Sequence, residues 1–279
     1  MNGLRVRRTI NWLVDGAIVL CVLIAAVPVV ILLLFVLIKG LPGILTAGFF
    51  TQAPHPVGVP GGGVLNAIIG TLIIVGLGSL LAVPFGTLIG IFLSEYGHNQ
   101  LGDVVRFVSD VLTGLPSIAF GIFGYTVLVL TLHHFSAIAA SVALAVLMLP
   151  VILRATETAL ILVPHALREA GLALGAPRWR VTLEIVVPAA LGGIVTGALL
   201  AMARAAGETA PLLFTTLGND LVHANPFRPM GALALTVFGN ALSPYPNLQN
   251  QAWAAALLLV ILVAITNILA RLYVRRAQR

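Results

Sequence analysis

The sequence predicts an all-α, polytopic membrane protein with six transmembrane helices and both termini in the cytoplasm. Three observations predict it. Hydrophobic residues make up 59% of the 279 and charged residues only 9%, whereas a soluble domain carries about 25% charged. Six apolar runs are each long enough, or nearly so, to cross a bilayer, which takes about 20 residues of helix. The Lys and Arg residues then fall overwhelmingly on one side of those runs.

The first run is Gly16–Ile38, with Arg5, Arg7, Arg8 and Asp15 before it and Lys39 after it. Its apolar core is longer than that of a cleavable signal peptide, and no small-residue cleavage site follows, so it reads as a retained helix. Cys21 lies within it as an inert packed residue, and as the single cysteine it has no partner for an internal disulfide. Residues 41–63 are rich in Gly and Pro and read as an ordered loop.

The second span is about Leu65–Phe92, followed by a short polar connection carrying Glu95, His98, Asp103 and Arg106. The third is about Phe107–Leu132, interrupted by Gly and Pro in GLPSIAFGIFG. His133 and His134 read as a short turn. The fourth is about Phe135–Leu153, the fifth about Ala189–Leu217 and the sixth about Ala252–Ala270. Between them lie a charged stretch, 154–188, and a Pro/Asn-rich loop, 218–250. Asp15 and Asp110 read as interfacial residues in water. Gly70, Gly76, Gly78, Gly86, Gly90, Gly192, Gly193 and Gly197 allow close helix approach, and the last three can also let the fifth helix bend.

With six spans and cytoplasmic termini, the cytoplasmic side holds Arg5, Arg7, Arg8, Arg106, Arg154, Arg168, Arg178, Arg180, Arg271, Arg275, Arg276 and Arg279. The other side holds Lys39 and Arg228. Twelve against two, with Arg204 inside the membrane, accounts for all fifteen. This bias explains the net charge of +6 without nucleic acid, for which a basic run interleaved with aromatics would be expected. No Cys/His cluster has metal-ligand spacing.

The stretch 154–188, RATETALILVPHALREAGLALGAPRWRVTLEIVVP, has its own helical grammar. Pro164 suits a first helical position. Gly175 suits a left-handed cap and Pro177 cannot continue a helix. A short helix over about Pro164–Leu174 places Leu167, Ala170, Gly171 and Leu174 on one apolar stripe, with Arg168 and Glu169 off it. Such a ridge suits a groove on a soluble partner or the lipid headgroups, and periodicity alone does not choose.

The residues Glu169-Ala170-Gly171, then Gly175 after three, then Ile185 after nine more and Val187-Pro188 closely resemble the EAA loop of permease subunits of ABC importers. That family's pattern is Glu-Ala-Ala, three residues, Gly, nine residues, Ile, one residue, Leu-Pro. Gly171 and Val187 depart from it while staying small or apolar. The resemblance implies the type I permease fold of those importers, with ATPase coupling through Leu167, Arg168, Glu169, Ala170, Gly171, Leu174, Gly175, Ile185 and Pro188. It implies that this chain is not an enzyme and binds no cofactor. ATP-Mg is used by a partner ATPase, since no Gly-x-x-x-x-Gly-Lys-Ser/Thr is present and the only lysine is Lys39.

Four further blocks narrow the resemblance to phosphate importers: GGGVLNAIIGTLIIV (61–75), IFLSEY (91–96), GLPSIAFGIFG (114–124) and ARAAGETAPLLF (203–214). The run from Gly207 to Leu212 favours one of that importer's two permease subunits. The resemblance implies a second permease (PstC-like), a dimer of ATPase subunits (PstB-like), an extracytoplasmic phosphate-binding protein (PstS-like) and residence in the bacterial inner membrane. It divides the chain into 1–62 (N-terminus, first helix, external loop), a permease core at 63–274 and a tail at 275–279.

Arg204 and Glu208 stand four apart within the fifth span, on one helix face. A lone charge at mid-bilayer costs about 2.5–3.5 kcal/mol on insertion scales, so a pair is expected there. It is either a lock between helices or a site on the anion path, where a guanidinium donates two parallel bonds to phosphate and Thr209 adds a hydroxyl. Rival readings are another cargo (sulfate, molybdate, an organic solute), an ion-driven carrier, and an intramembrane enzyme. The carrier would show broken half-helices and inverted repeats. The enzyme would show a nucleophile–base or metal constellation, and none is visible.

Overall fold

The computed structural model describes residues 2–56, 59 and 61–277, and among these every regular element is helical. Residues 57, 58 and 60 of the first loop and 278–279 of the tail lie outside the described residues. The helices are α1 (Asn2–Ile44), α2 (Leu65–Glu95), α3 (Gln100–Gly114), α4 (Ser117–Gly124), α5 (Leu130–Leu132), α6 (Ala137–Ile161), α7 (His165–Ala173), α8 (Arg178–Val181), α9 (Val187–Ala206), α10 (Ala210–Thr215), α11 (Leu233–Ala241) and α12 (Pro246–Ala277). Wider π turns, Tyr125–Val129 and Thr182–Val186, join α4 to α5 and α8 to α9. Five stretches are long and apolar enough to cross a membrane, namely Ile10–Ile44, Leu65–Glu95, Ala137–Ile161, Arg178–Ala206 and Pro246–Leu269. The bent pair Gln100–Gly114 and Ser117–Leu132 makes a sixth.

The centre of the bundle is the pair α2 and α6, both running toward the end that carries α7. Their contact is built on missing side chains. Gly78 lies against the Ser141 carbonyl, Gly86 against Ile152 and Gly90 against Thr156, each too close for a methyl group. Ile74, Ala82, Leu144, Met148 and Ile152 fill the core between them and α9. Gly193 and Gly197 bring α9 equally close to Ala159 and Ala155 of α6. Gly76 faces open space instead.

α1 stands apart. From Ile10 to Phe35 it is exposed on every side, Cys21 and Asp15 included, so Cys21 is not the packed residue expected. Only its last turns join the bundle. Phe35 meets Trp253 edge-on at 5.1 Å, Val36 is buried, and Gly40 and Gly43 lie on Leu257 and Ala254 of α12.

The third span differs from the expectation. The chain turns by 103° between α3 and α4, so the membrane-crossing part begins at Ser117 rather than Phe107. The cause is local and tertiary. Pro116 excludes the helical region for Leu115, which sits at φ −72°, ψ 140°. The charges of α3 then face the end of α6, while Leu101, Val104, Phe107, Val108 and Val111 are left outward.

His133, left-handed at φ 59°, makes the expected turn, and Ser136 caps α6 by accepting from Ala139 N at 3.2 Å. α6 continues eight residues past the expected end at Leu153. The fifth span is helical without a break from Arg178 to Ala206, Gly192–Gly197 included, and stops at Gly207. The 218–250 loop contains α11, held against α2 where Leu233 N donates to Thr71 Oγ1 at 2.9 Å and Asn66 Nδ2 to Asn219 O at 2.7 Å. Arg106, Arg154, Arg168, Arg178 and Arg180 share the α7 end of the bundle. Arg228 lies at the opposite end, its carbonyl accepting from Ala137 N at the start of α6.

Candidate coupling surface and pathway

The projecting helix α7 is one residue shorter at each end than expected, with Pro164 before its first turn and Leu174 closing it. Gly175 takes φ +80°, where side chains are strained. Its N–H reaches Leu172 O at 2.9 Å, and Ala176 N reaches Gly171 O at 3.3 Å. These two bonds form the Schellman closure that the Gly-Ala-Pro sequence foreshadows.

The expected apolar stripe divides. Gly171 is buried against Val181 and Ile185, and a methyl there would come 2.8 Å from Ile185 Cδ1. Gly171 thus packs on the later residues of the same motif, in the turn Thr182–Val186 and the helix before it. Leu167, Ala170 and Leu174 remain exposed, Leu174 at 89%, and so do Glu169 and Pro188. Leu162, Leu172 and Trp179 extend this outward apolar surface. Arg168 points the other way. Its Nη2 donates to Glu95 Oε1 at 2.7 Å, and Nη1 and Nη2 donate to Val163 O and Leu160 O. A cavity of about 180 Å³ between α2, α7 and α8 is lined by Tyr96, Arg168, Arg178 and Thr182.

Behind α7 lies a chain of ion pairs whose members were expected in the polar connection before the third span, at the edge of that span and in the charged stretch 154–188. Arg106 of α3 binds Glu157 of α6 at 2.7 Å and Asp103 at 3.4 Å. Arg154 binds Glu157 at 3.0 Å and also Asp110. Asp110 is therefore not simply an interfacial residue in water. Glu157 is 6% exposed, which two arginines make tolerable. The signal was the i, i+3 spacing of Arg154 and Glu157, legible once helix α6 is carried beyond Leu153.

Arg204 and Glu208 do come together, with Nε 3.5 Å from Oε1, but not on a continuous helix. α9 ends at Ala206, Gly207 caps it, and Glu208 stands in a three-residue break before α10. α10 packs on α4, where Pro211 and Phe214 lie against Gly121, and Thr215 O accepts from Ser136 N beside the start of α6. Depth follows from the seam with α6. Arg204 lies about 10 Å beyond Gly197, and Ala155 about 27 Å from the start of α6, at 1.5 Å per residue. Arg204 is then about 17 Å from that end, close to the mid-length of the 25-residue α6. The guanidinium is 52% exposed and Glu208 15%. Among the described residues Nη1 and Nη2 make no hydrogen bond, and the Thr209 hydroxyl caps nothing. Irregular backbone at this depth is tolerated only where protein covers it or it lines an aqueous cavity. A neighbouring cavity of about 250 Å³ between α2, α9 and α12 is apolar apart from Thr71 and Thr266. The cleft between α6 and α9 near α7, about 620 Å³, is lined by Arg154, Thr158, Pro188 and Gly192.

A helical bundle with a projecting capped helix at one end and a charged break at mid-depth is the membrane component of a transport system. The chain belongs to the family of binding-protein-dependent transport system inner membrane components, whose model matches residues 86–279. Relatives named phosphate transport system permease protein PstA come from Yersinia pestis (45% identical; 84% of this chain, 79% of that one) and Haemophilus influenzae (41%; 96% and 94%). PstA 1 of Mycobacterium tuberculosis is 40% identical over 88% of this chain and 82% of its own. The MetNI methionine ABC transporter, solved in inward-facing conformations, shares the fold at TM-score 0.65 and 21% identity, covering 77% of this chain and 96% of that one.

Proposed function

We propose that this chain is a permease subunit of an ATP-driven importer of inorganic phosphate, with Arg204, Glu208 and Thr209 on the anion path. The relatives supply the cargo. The observation in this chain that supports it is the half-exposed guanidinium of Arg204 at mid-depth, with both terminal nitrogens unengaged. Those two donors match the paired oxygens of phosphate. Glu208 orients the arginine and offsets its charge, so that the anion is bound without being trapped.

A second, PstC-like permease supplies the other wall of the pathway. A dimer of PstB-like ATPase subunits docks on the exposed side of α7, and a PstS-like binding protein delivers phosphate at the opposite end. α7 and the arginine-rich end lie in the cytoplasm of a bacterial cell, as do both termini, with the bundle in its inner membrane. Hydrolysis of ATP-Mg belongs to the partner chain, and this chain contributes alternating access alone. The broken α9–α10 element does not by itself indicate an ion-driven carrier, because here it is joined to a coupling helix.

Uptake of radiolabelled phosphate by the reconstituted four-component complex tests the cargo, and uptake of sulfate or molybdate in its place would overturn it. Docking is tested separately. Gly175→Pro forbids the left-handed cap, and Ala170→Trp fills the outward face; both should lower co-purification of the ATPase by about tenfold or more. Gly171→Ala should leave it unchanged, because Ile185 Cδ1 can swing aside. Full retention of the ATPase by the Gly175 and Ala170 variants would sink the coupling assignment.

A further inference from the structure

The last turn of a helix leaves carbonyl oxygens without partners and carries negative potential. α2 and α6 run in the same direction, so both present such ends beneath α7. One side chain meets both. Arg168 Nη2 donates to Leu160 O in the last turn of α6 at 2.9 Å, and Nη1 to Val163 O, two residues beyond it, at 2.7 Å. Nε and Nη2 donate to the carboxylate of Glu95, the last residue of α2, at 3.3 and 2.7 Å. All three guanidinium nitrogens are used, and the side chains are only 16% and 13% exposed.

The end of α2 is gripped a second time. Arg106 Nη2 and Nη1 donate to Leu93 O and Gly97 O at 2.9 and 3.0 Å, while its Nε holds Glu157 of α6. Just before these contacts along both helices, Gly86 and Gly90 bring α2 onto α6 with no slack. The ends of the two helices therefore form one rigid block, and Arg168 is the side chain by which α7 joins both helices of it.

We propose that Arg168 is a positioning residue. It couples α7 mechanically to the ends of α2 and α6, so that displacement of α7 by a docked ATPase moves both helices as one body. This rests on the coupling role of α7 given above and takes Arg168 off the partner-facing surface. A lysine cannot replace it, because one ammonium does not span a carboxylate and two carbonyls at once.

The test uses the whole importer in proteoliposomes, with Arg168→Gln and Glu95→Gln compared with the unmodified chain. Three quantities are read: ATPase co-purification, phosphate taken up per ATP hydrolysed, and the distance between nitroxides at the exposed positions His165, off the docking stripe, and His98. We expect ATPase binding and hydrolysis to persist in both variants. Uptake per ATP should fall about tenfold in Arg168→Gln and less in Glu95→Gln, which keeps the carbonyl contacts. The nitroxide distance should ignore ATP in the unmodified complex and respond to it in Arg168→Gln. Unchanged uptake per ATP, loss of the ATPase from the complex, or a distance that already responds in the unmodified chain would each overturn the proposal. If Arg168→Gln is not recovered from membranes, Glu95→Gln carries the same readings. Absence of phosphate uptake by the unmodified complex would overturn the cargo alone and leave the nitroxide distances to decide the linkage.

Discussion

Arg204→Ala is expected to lower phosphate uptake about a hundredfold, equivalent to ~2.7 kcal/mol, the scale of lost charge-assisted hydrogen bonds. Assembly should survive, because the guanidinium is half-exposed and its one protein contact is long, 3.5 Å. Size-exclusion chromatography of the complex and uptake assays separate the two effects, and loss of assembly would favour a lock between helices. The charge-swapped pair, Arg204→Glu with Glu208→Arg, sharpens the test. Residue 204 ends a helix and residue 208 stands in the break after it, so the swap moves the guanidinium off the rod. We expect no recovery of uptake. Recovery would show that the pair serves as a latch and that arginine at 204 does not touch the anion.

Arg106→Met should cost about 3 kcal/mol of stability, because it removes one of two cations from a carboxylate that is 6% exposed. That is the low end for breaking a buried pair, since Arg154 still reaches Glu157 at 3.0 Å. Thermal unfolding in detergent measures it. Adding Glu157→Gln to Arg106→Met should make the protein more stable than Arg106→Met alone, because the uncompensated charge is gone. If the two substitutions simply add, the pair does not contribute in this way.

Much of the fold could be read before any coordinates. The apolar runs set the spans because water and hydrocarbon differ so strongly as solvents for a side chain. α7 was legible because Pro164, Gly175 and Pro177 act through local sterics. The errors have two physical origins, one long-range and one local. Where α3 points is decided by Arg106 and Asp110 meeting α6, contacts more than forty residues apart. The stop at Gly207 was written locally, in Gly207 and in Pro211 at the start of α10, but hydropathy runs straight through it. The Arg204–Glu208 pairing was found from helical spacing although the helix ends between the two residues, since a short break keeps them in reach. The sequence places Arg168 off the apolar stripe and among the ATPase-coupling residues, because periodicity describes one helix and knows nothing of the neighbouring helix ends it meets.

The depth of the Arg204–Glu208 pair also bears on voltage. The two charges sum to zero and approach to 3.5 Å, so moving them together carries no net charge through the electric field. On the proposed anion path, a phosphate that passes them does carry charge, at about 2.3 kcal/mol per unit charge for each 100 mV. On that proposed path, membrane potential therefore weighs on the cargo and not on the pair. In a cell that is negative inside, that electrical work falls to ATP, and idle cycling without phosphate should be indifferent to voltage.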